Sequence, residues 1–318
     1  MNKEIIKRRT LFGVLSTVLI FVASSIPAQE KTADFPVLKG PYFGQKIPEE
    51  KPLLFAPGII SLEGIMVHDT PVFSSEGKEI YWGEFSTKPN HTSIKYSKMV
   101  NNIWTKPELV SFSSLDSYGD GCPFMMPGGK ILYFSSFRAL EKGGKSGRER
   151  IWYVKKQGDR WGKPQPACKD VNAMDLHWQT SVSANRSLFF STDQGIMRSR
   201  FVNGKHQKPE KIARIMNSKY IGGMPFIAPD ESYFIFSSDK LPHSLGKRDL
   251  YIGYRKKDGA WTDPVHLGNT INTSQHDLCP IVTYDGKYLL YLSWQKERPG
   301  VYWFPARFIE ELKPKELK

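Results

Sequence analysis

The chain has 318 residues, 40% of them hydrophobic and 13% aromatic, which is enough apolar material for one large all-β domain or two ordinary ones and excludes a disordered chain. Three cysteines are too few for a disulfide scaffold, and leave at least one unpaired in an oxidising compartment. The formal charge of +13 would suggest nucleic acid inside a cell, so the compartment decides how that charge is read.

Residues 1–28 answer this first. Lys3, Lys7, Arg8 and Arg9 make a positive start, residues 11–23 are an uncharged apolar run, and small residues with Pro27 follow. That pattern predicts a signal peptide: the run of about 13 residues is short against the roughly 20 that span a bilayer. Its removal discards four cations and Glu4, leaving +10 on the mature chain. We therefore expect a periplasmic or secreted protein with no membrane span after cleavage and no nucleic-acid partner. Residues 29–51 are polar and interrupted by proline and glycine, and read as an irregular leader to a single domain over 52–318.

From residue 52 onward one phrase recurs. A short strand opens at Pro71, Pro123, Thr180, Pro225 and Pro280, at steps of 52, 57, 45 and 55 residues. Each opening leads to a turn triplet (EGK, GGK, NRS, DES, DGK), then an alternating aromatic and aliphatic strand such as SYFIFSS, then a third strand such as DLYIGY. Proline is harmless at the first position of a strand, and the triplets suit tight turns. A Trp-x-x-Pro phrase closes the first and second units at Trp104 and Trp161. The same phrase closes the fourth at Trp261, and a ring this regular is expected between sheets. The third unit lacks both the proline and the tryptophan. Periods of this length predict a radial all-β architecture: a five-bladed β-propeller of four-stranded blades, with six blades as the alternative. The fifth unit runs out of strand after residue 304, so the apolar segment 55–62 is expected to supply the missing strand and close the ring.

PVFSSEGKEIYW, PFIAPDESYFIFSS and DLYIGYRKKDGAWTDPVHLGNTINT followed by CPIVTYDGKYLLYLS resemble the WD40-like repeat called PD40, found in TolB-like exported proteins. The resemblance covers residues 52–310. It implies a propeller and an exported protein, and little about activity, since such repeats serve unrelated tasks.

Alignment on the openings marks what should face the central channel. Three residues before each opening stand His68, Asp120, His177, Gly222 and Asp277; one residue before stand Thr70, Cys122, Gln179, Met224 and Cys279. On an extended strand the two sets share a face. His276 adds another imidazole. His68, Asp120, His177, Gln179, His276 and Asp277 are thus candidate ligand-binding residues. His68, His177, Asp120 and Asp277 are candidates to hold a divalent metal, although no cofactor is implied with certainty. Asp120 and Asp277 are candidate catalytic carboxylates for sugar chemistry. Buried free thiols are expected at Cys122 and Cys279.

The leading expectation is a monomeric binding or scaffold module of the bacterial envelope, with an envelope protein or acidic glycan as partner. The alternative is a glycan-active hydrolase or lyase on acidic polysaccharide, with a His/Asp centre in the channel.

Overall fold

The computed structural model describes residues 35–318 apart from 64–66, 88–89, 114–118, 141–143, 145–146, 213–221 and 240; the expected signal peptide lies outside the described residues. Five small antiparallel sheets account for nearly all the regular structure. Each begins where a repeat was expected. The inner strands are Val72–Phe73, Asp120–Met125, Leu176–Val182, Gly222–Ile227 and Asp277–Val282. Their partners are the long aromatic strands Glu79–Thr87, Ile131–Ser136, Leu188–Thr192, Tyr233–Ser238 and Tyr288–Ser293. The chain is a five-bladed β-propeller.

The alternation in these second strands produces the packing. Trp82, Phe134, Phe190 and Tyr291 are buried in corresponding places, and rings from adjacent blades fill the wedges between sheets. Trp161 of the second blade packs edge-on against Tyr81 of the first, with ring centroids 6.0 Å apart, and donates its indole N–H to the Tyr81 hydroxyl. Trp261 lies 4.7 Å from Phe234. Trp104 and Trp261 are buried core residues, and Trp161 is half-buried against the core. At one end of the axis an apolar cavity of about 260 Å³ is lined from all five blades, by residues that include Phe73, Phe124, Val182, Phe226 and Ile281.

Ring closure comes from the N-terminal side, two residues earlier than expected. Leu53 pairs with Trp303 and Leu54 with Tyr302, adding a fourth strand to the fifth blade. The segment 55–62 is not a strand. It turns on itself, with three N–H groups (Ile59, Ile60 and Ser61) donating to the Ala56 carbonyl. Phe55 N donates to the Val301 carbonyl, and Ser61 Oγ accepts from Val301 N. Pro57 and Gly58 explain the break, since proline has no ladder N–H and Gly58 is left-handed.

The leader is also part of the body. The compact unit runs from Val37 to Lys318, and Tyr42 and Phe43 are buried. Phe43 packs on Trp104 at 4.6 Å between ring centroids, and the Trp104 indole N–H donates to the Gly40 carbonyl at 2.7 Å. Residues 37–51 lack strands, yet Tyr42 and Phe43 from this stretch join the propeller core. The tail beyond residue 305 forms the short helix Phe308–Glu311 rather than a strand. No helix among the described residues is long and apolar enough to cross a membrane.

Phe55 is fully buried against Phe43, Phe73 and Trp303, so it joins the leader, the first blade and the last. Phe55→Ala should cost about 3–5 kcal/mol, read as a lower urea midpoint with an unchanged slope.

Candidate functional site

The inner strands do not run straight into the hub. In the second, fourth and fifth blades the ladder skips at residues 121–124, 223–226 and 278–281. The residue before the proline takes a left-handed backbone: φ is 49° at Cys122, 55° at Met224 and 51° at Cys279. This is a β-bulge, in which two residues oppose one and the strand bends. A bulge breaks the alternation of side chains, so residues one and three places before the opening cannot share a face. The two expected sets separate for that reason.

The first and third blades differ again. Their ladder resumes at Val67 opposite Glu84 and at Leu176 opposite Thr192. In the other blades Asp120, Gly222 and Asp277 hold that place, opposite Ser136, Ser238 and Ser293. The inner strands of the first and third blades therefore each hold one extra residue. His68 and His177 are consequently one position out of step with Asp120 and Asp277 in the register of the inner strands. The side chain of His177 lies outside the described residues, although its backbone pairs with Ser191.

The two carboxylates of the expected ring are buried and engaged. Arg138 Nη2 donates to both oxygens of Asp120 at 2.8 and 2.6 Å, and its guanidinium lies over the Phe134 and Trp152 rings. Asp277 has no exposed surface and accepts from Thr273 N, Thr273 Oγ1 and Ser293 Oγ. Burial raises its pKa despite those bonds, and nearby Asp249 adds to the rise. Neither carboxylate is open to a sugar.

The set one place before the openings packs the axis instead of lining a channel. Thr70, Cys122, Gln179, Met224 and Cys279 are all buried. Gln179, expected as a ligand-binding residue, donates its amide to the Pro225 and Pro280 carbonyls at 3.4 and 2.9 Å, tying the third blade to the fourth and fifth. The Cys279 and Met224 sulfurs are 3.4 Å apart. All three cysteines are free, and burial pushes the Cys122 thiol up.

The extra residue of the first blade is Asp69, which the repeat alignment passed over. Its carboxylate is buried and accepts Gly83 N at 2.8 Å within its own blade and Cys122 N at 2.6 Å in the next. The third blade solves the same problem with Ser191, whose hydroxyl accepts Met224 N at 2.7 Å. Gly83 occupies in the first blade the place of Ser191: a Cβ there would collide with the Asp69 carboxylate. Asp69 thus reaches into space that a serine fills elsewhere, and closes the same inter-blade contact. A signal existed in the sequence. Where the second, third and fourth units carry Ser135, Ser191 and Ser237, the first carries Gly83, and it has Asp69 just before its opening. His68 Nδ1 lies 3.5 Å from Asp69 Oδ2, and its side chain is one-third exposed.

The open chemistry is at the rim. A cleft of about 830 Å³ lies between the fifth blade and the N-terminal segment, lined by Glu63, Gln275, Trp294, Lys296, Glu297 and Arg298 among others. Trp294 is 40% exposed yet held in place: its backbone N–H donates to the His276 carbonyl and its ring meets the His276 imidazole edge-on at 5.0 Å. Burial, with Lys247 and Arg248 nearby, lowers the His276 pKa. Among the expected ligand-binding residues whose side chains are described, His276 is the one that packs on a residue lining this cleft, Trp294. Arg298 is fixed through its carbonyl, which accepts the Tyr302 hydroxyl.

No family model and no curated protein matches the chain. Solved structures do. An endo-arabinase from Bacteroides thetaiotaomicron VPI-5482 is 14% identical with a TM-score of 0.50, over 81% of this chain and 97% of its own. An exo-1,5-α-L-arabinanase from a bovine ruminal metagenomic library is 13% identical with a TM-score of 0.48, over 75% and 92%. An α-L-arabinofuranosidase from Podospora anserina, solved with cellotriose, is 11% identical with a TM-score of 0.48, over 82% and 99%. At these identities the likeness concerns the fold. It corrects the resemblance drawn from the repeats: the structure that shares the fold at a TM-score of 0.50 is named as an endo-arabinase, and no family model supports membership of the PD40 or TolB-like family. Short turns and alternating rings are what any propeller blade of this size needs, so the phrase reports the architecture and not the lineage.

The hub can be probed at both of its buried aspartates. Asp69→Ala leaves two buried N–H groups without an acceptor and should cost about 2–4 kcal/mol. Adding Gly83→Ser to that variant restores a hydroxyl where Ser191 has one, and should recover at least half of the loss in a urea titration. For Asp277, a folded-state pKa above the unfolded one means that the native state holds the proton more tightly, so stability falls as pH rises through the folded value. Asp277→Asn has no such proton to lose. The wild type should therefore gain on it as pH is lowered from neutral into the carboxylate range, read as the difference in urea midpoints.

Proposed function

We propose that the protein is an exported glycan-active propeller, a hydrolase or lyase acting on acidic saccharide, whose substrate lies in the cleft beside Trp294. The observation that carries this reading is the cleft itself. An exposed, positioned indole offers a flat apolar face to a sugar ring, while Gln275, Glu63, Glu297, Lys296 and Arg298 surround it with groups that bond hydroxyls and carboxylates. Its size falls in the range of small-molecule sites. Hydrolysis of a glycosidic bond needs a pair of carboxyl groups, one to protonate the leaving oxygen and one to activate water or stabilise the cation. Glu63 and Glu297 line the cleft from two separate segments, both exposed to solvent, unlike Asp120 and Asp277, and are the carboxyl groups we assign to these roles. Lys296 and Arg298 would meet the charge of an acidic sugar. The activity named for the endo-arabinase that shares the fold supports a glycan substrate over a purely structural partner. The apolar N-terminal run supports a periplasmic or secreted location.

The test is a screen of the mature chain against arabinan and uronate-rich polysaccharides for release of reducing ends or unsaturated products. Trp294→Ala should weaken saccharide binding by roughly tenfold, the loss of about 1.4 kcal/mol of stacking. Glu63→Gln and Glu297→Gln should each lower kcat by about 10²–10⁴ with little change in KM. Absence of both binding and turnover for every glycan would sink the reading; binding unchanged by Trp294→Ala would move the site elsewhere.

A further inference from the structure

The hub contains a second site, independent of the rim cleft and of any saccharide reading. His68, Asp69 and Cys122 each offer a ligand atom, and the three atoms all lie within 4.8 Å of one another. His68 Nδ1 and Asp69 Oδ2 are 3.5 Å apart. Among the described residues this is the one group of metal-ligating side chains so gathered. We propose that these three side chains bind a zinc ion, with the fourth position left to water.

The donor set argues for zinc. An imidazole nitrogen, a carboxylate oxygen and a thiolate sulfur are each ordinary zinc ligands, whereas calcium and magnesium take oxygen alone. Tetrahedral zinc with bonds of about 2.0–2.3 Å sets its donors roughly 3.5 Å apart, which the imidazole and carboxylate already satisfy. The sulfur lies within 4.8 Å of both other ligand atoms, so it has at most about 1.3 Å to close on that scale.

The surroundings argue for a cation-sized space. Gly121 stands beside the three ligands, and a Cβ there would lie 3.2 Å from His68 Nδ1 and 3.4 Å from Asp69 Oδ2. Glycine keeps that volume open. The carboxylate is held in place by Gly83 N and Cys122 N, the outer-shell bonding that orients a metal-binding side chain. Each carboxylate oxygen has a further lone pair to offer. Asp69 and Cys122 are buried, while the one-third exposed His68 marks the side from which water reaches the fourth position. Three protein ligands with one open position are the arrangement in which zinc activates a bound water. The extra residue of the first inner strand makes this possible, because it places His68 and Asp69 consecutively against the bulge of the next blade.

The experiment uses the reduced full mature chain carrying Cys168→Ser, which removes the partly exposed thiol. Zinc is titrated against a competing chromophoric chelator, and cobalt(II) is added as a spectroscopic stand-in. The expected result is one zinc per chain and a thiolate-to-cobalt charge-transfer band. Gly121→Ala, which fills the space without removing a ligand, should weaken zinc binding by roughly tenfold or more. Asp69→Ala with Gly83→Ser keeps the inter-blade contact and should lose binding to the same degree. Cys122→Ser should abolish the cobalt band, and Cys279→Ser should leave it intact. The proposal is overturned if wild-type protein takes up no stoichiometric zinc, if its cobalt complex lacks the thiolate band, or if Gly121→Ala and Cys122→Ser both bind zinc as wild type does. Should Cys122→Ser fail to fold, the wild-type cobalt spectrum and the Gly121→Ala titration decide alone.

Discussion

Five strands that converge on one axis must each bend, and the bend has to be paired. The bulge at Cys122, Met224 and Cys279 supplies the bend by placing a non-glycine residue in the left-handed region, a conformation that persists only where its surroundings hold it. The surroundings do so with single acceptors: Asp69 for Cys122 N and Ser191 for Met224 N. Each of those bonds crosses from one blade to the next. The geometry of the hub and the adhesion between neighbouring sheets therefore rest on the same few buried hydrogen bonds, where an unmet N–H costs far more than a met one returns.

That constraint explains the division of labour between axis and rim. Polar groups at the axis are consumed in holding blades together, as Gln179 shows by bonding to carbonyls of two other blades. Asp120 is engaged by Arg138, and Asp277 by a threonine and a serine. A buried charge that is fully partnered has little left to offer a ligand. The rim has no such duty. There the loop carrying Trp294 to Pro299 meets the N-terminal segment across a wide cleft, and side chains remain turned to solvent. His68, Asp69 and Cys122 are the exception at the hub, because the extra residue of that inner strand adds ligand types that the inter-blade contact alone does not require.

Closure couples the ends of the chain to both regions. Leu53 and Leu54 complete the last blade, and the turn that follows leads the chain to Glu63 at the cleft and on to His68 at the hub. The leader adds Tyr42 and Phe43 to the same apolar cluster as Phe55, Trp104 and Trp303. A closed ring has no long free sheet edge to join to another chain, and here that closure and the candidate sites share one short segment.

The number of blades, the inner and second strands, the turns and the packing of the repeat tryptophans against the sheets were readable in the sequence, because period-two alternation and turn residues act over a few neighbours and survive in any context. The closing strand was placed in the right part of the chain but two residues late, since apolar content alone does not say where Pro57 and Gly58 end the pairing. Even the glycine at position 83 in place of the recurrent serine carried a trace of Asp69. What only the tertiary structure decided was which side chains meet at the axis. One bulge reverses every face beyond it, and one extra residue in the first and third inner strands shifts His68 and His177 out of register with Asp120 and Asp277. Those offsets arise from pairing between strands and between blades, an interaction that spacing along a single chain does not record.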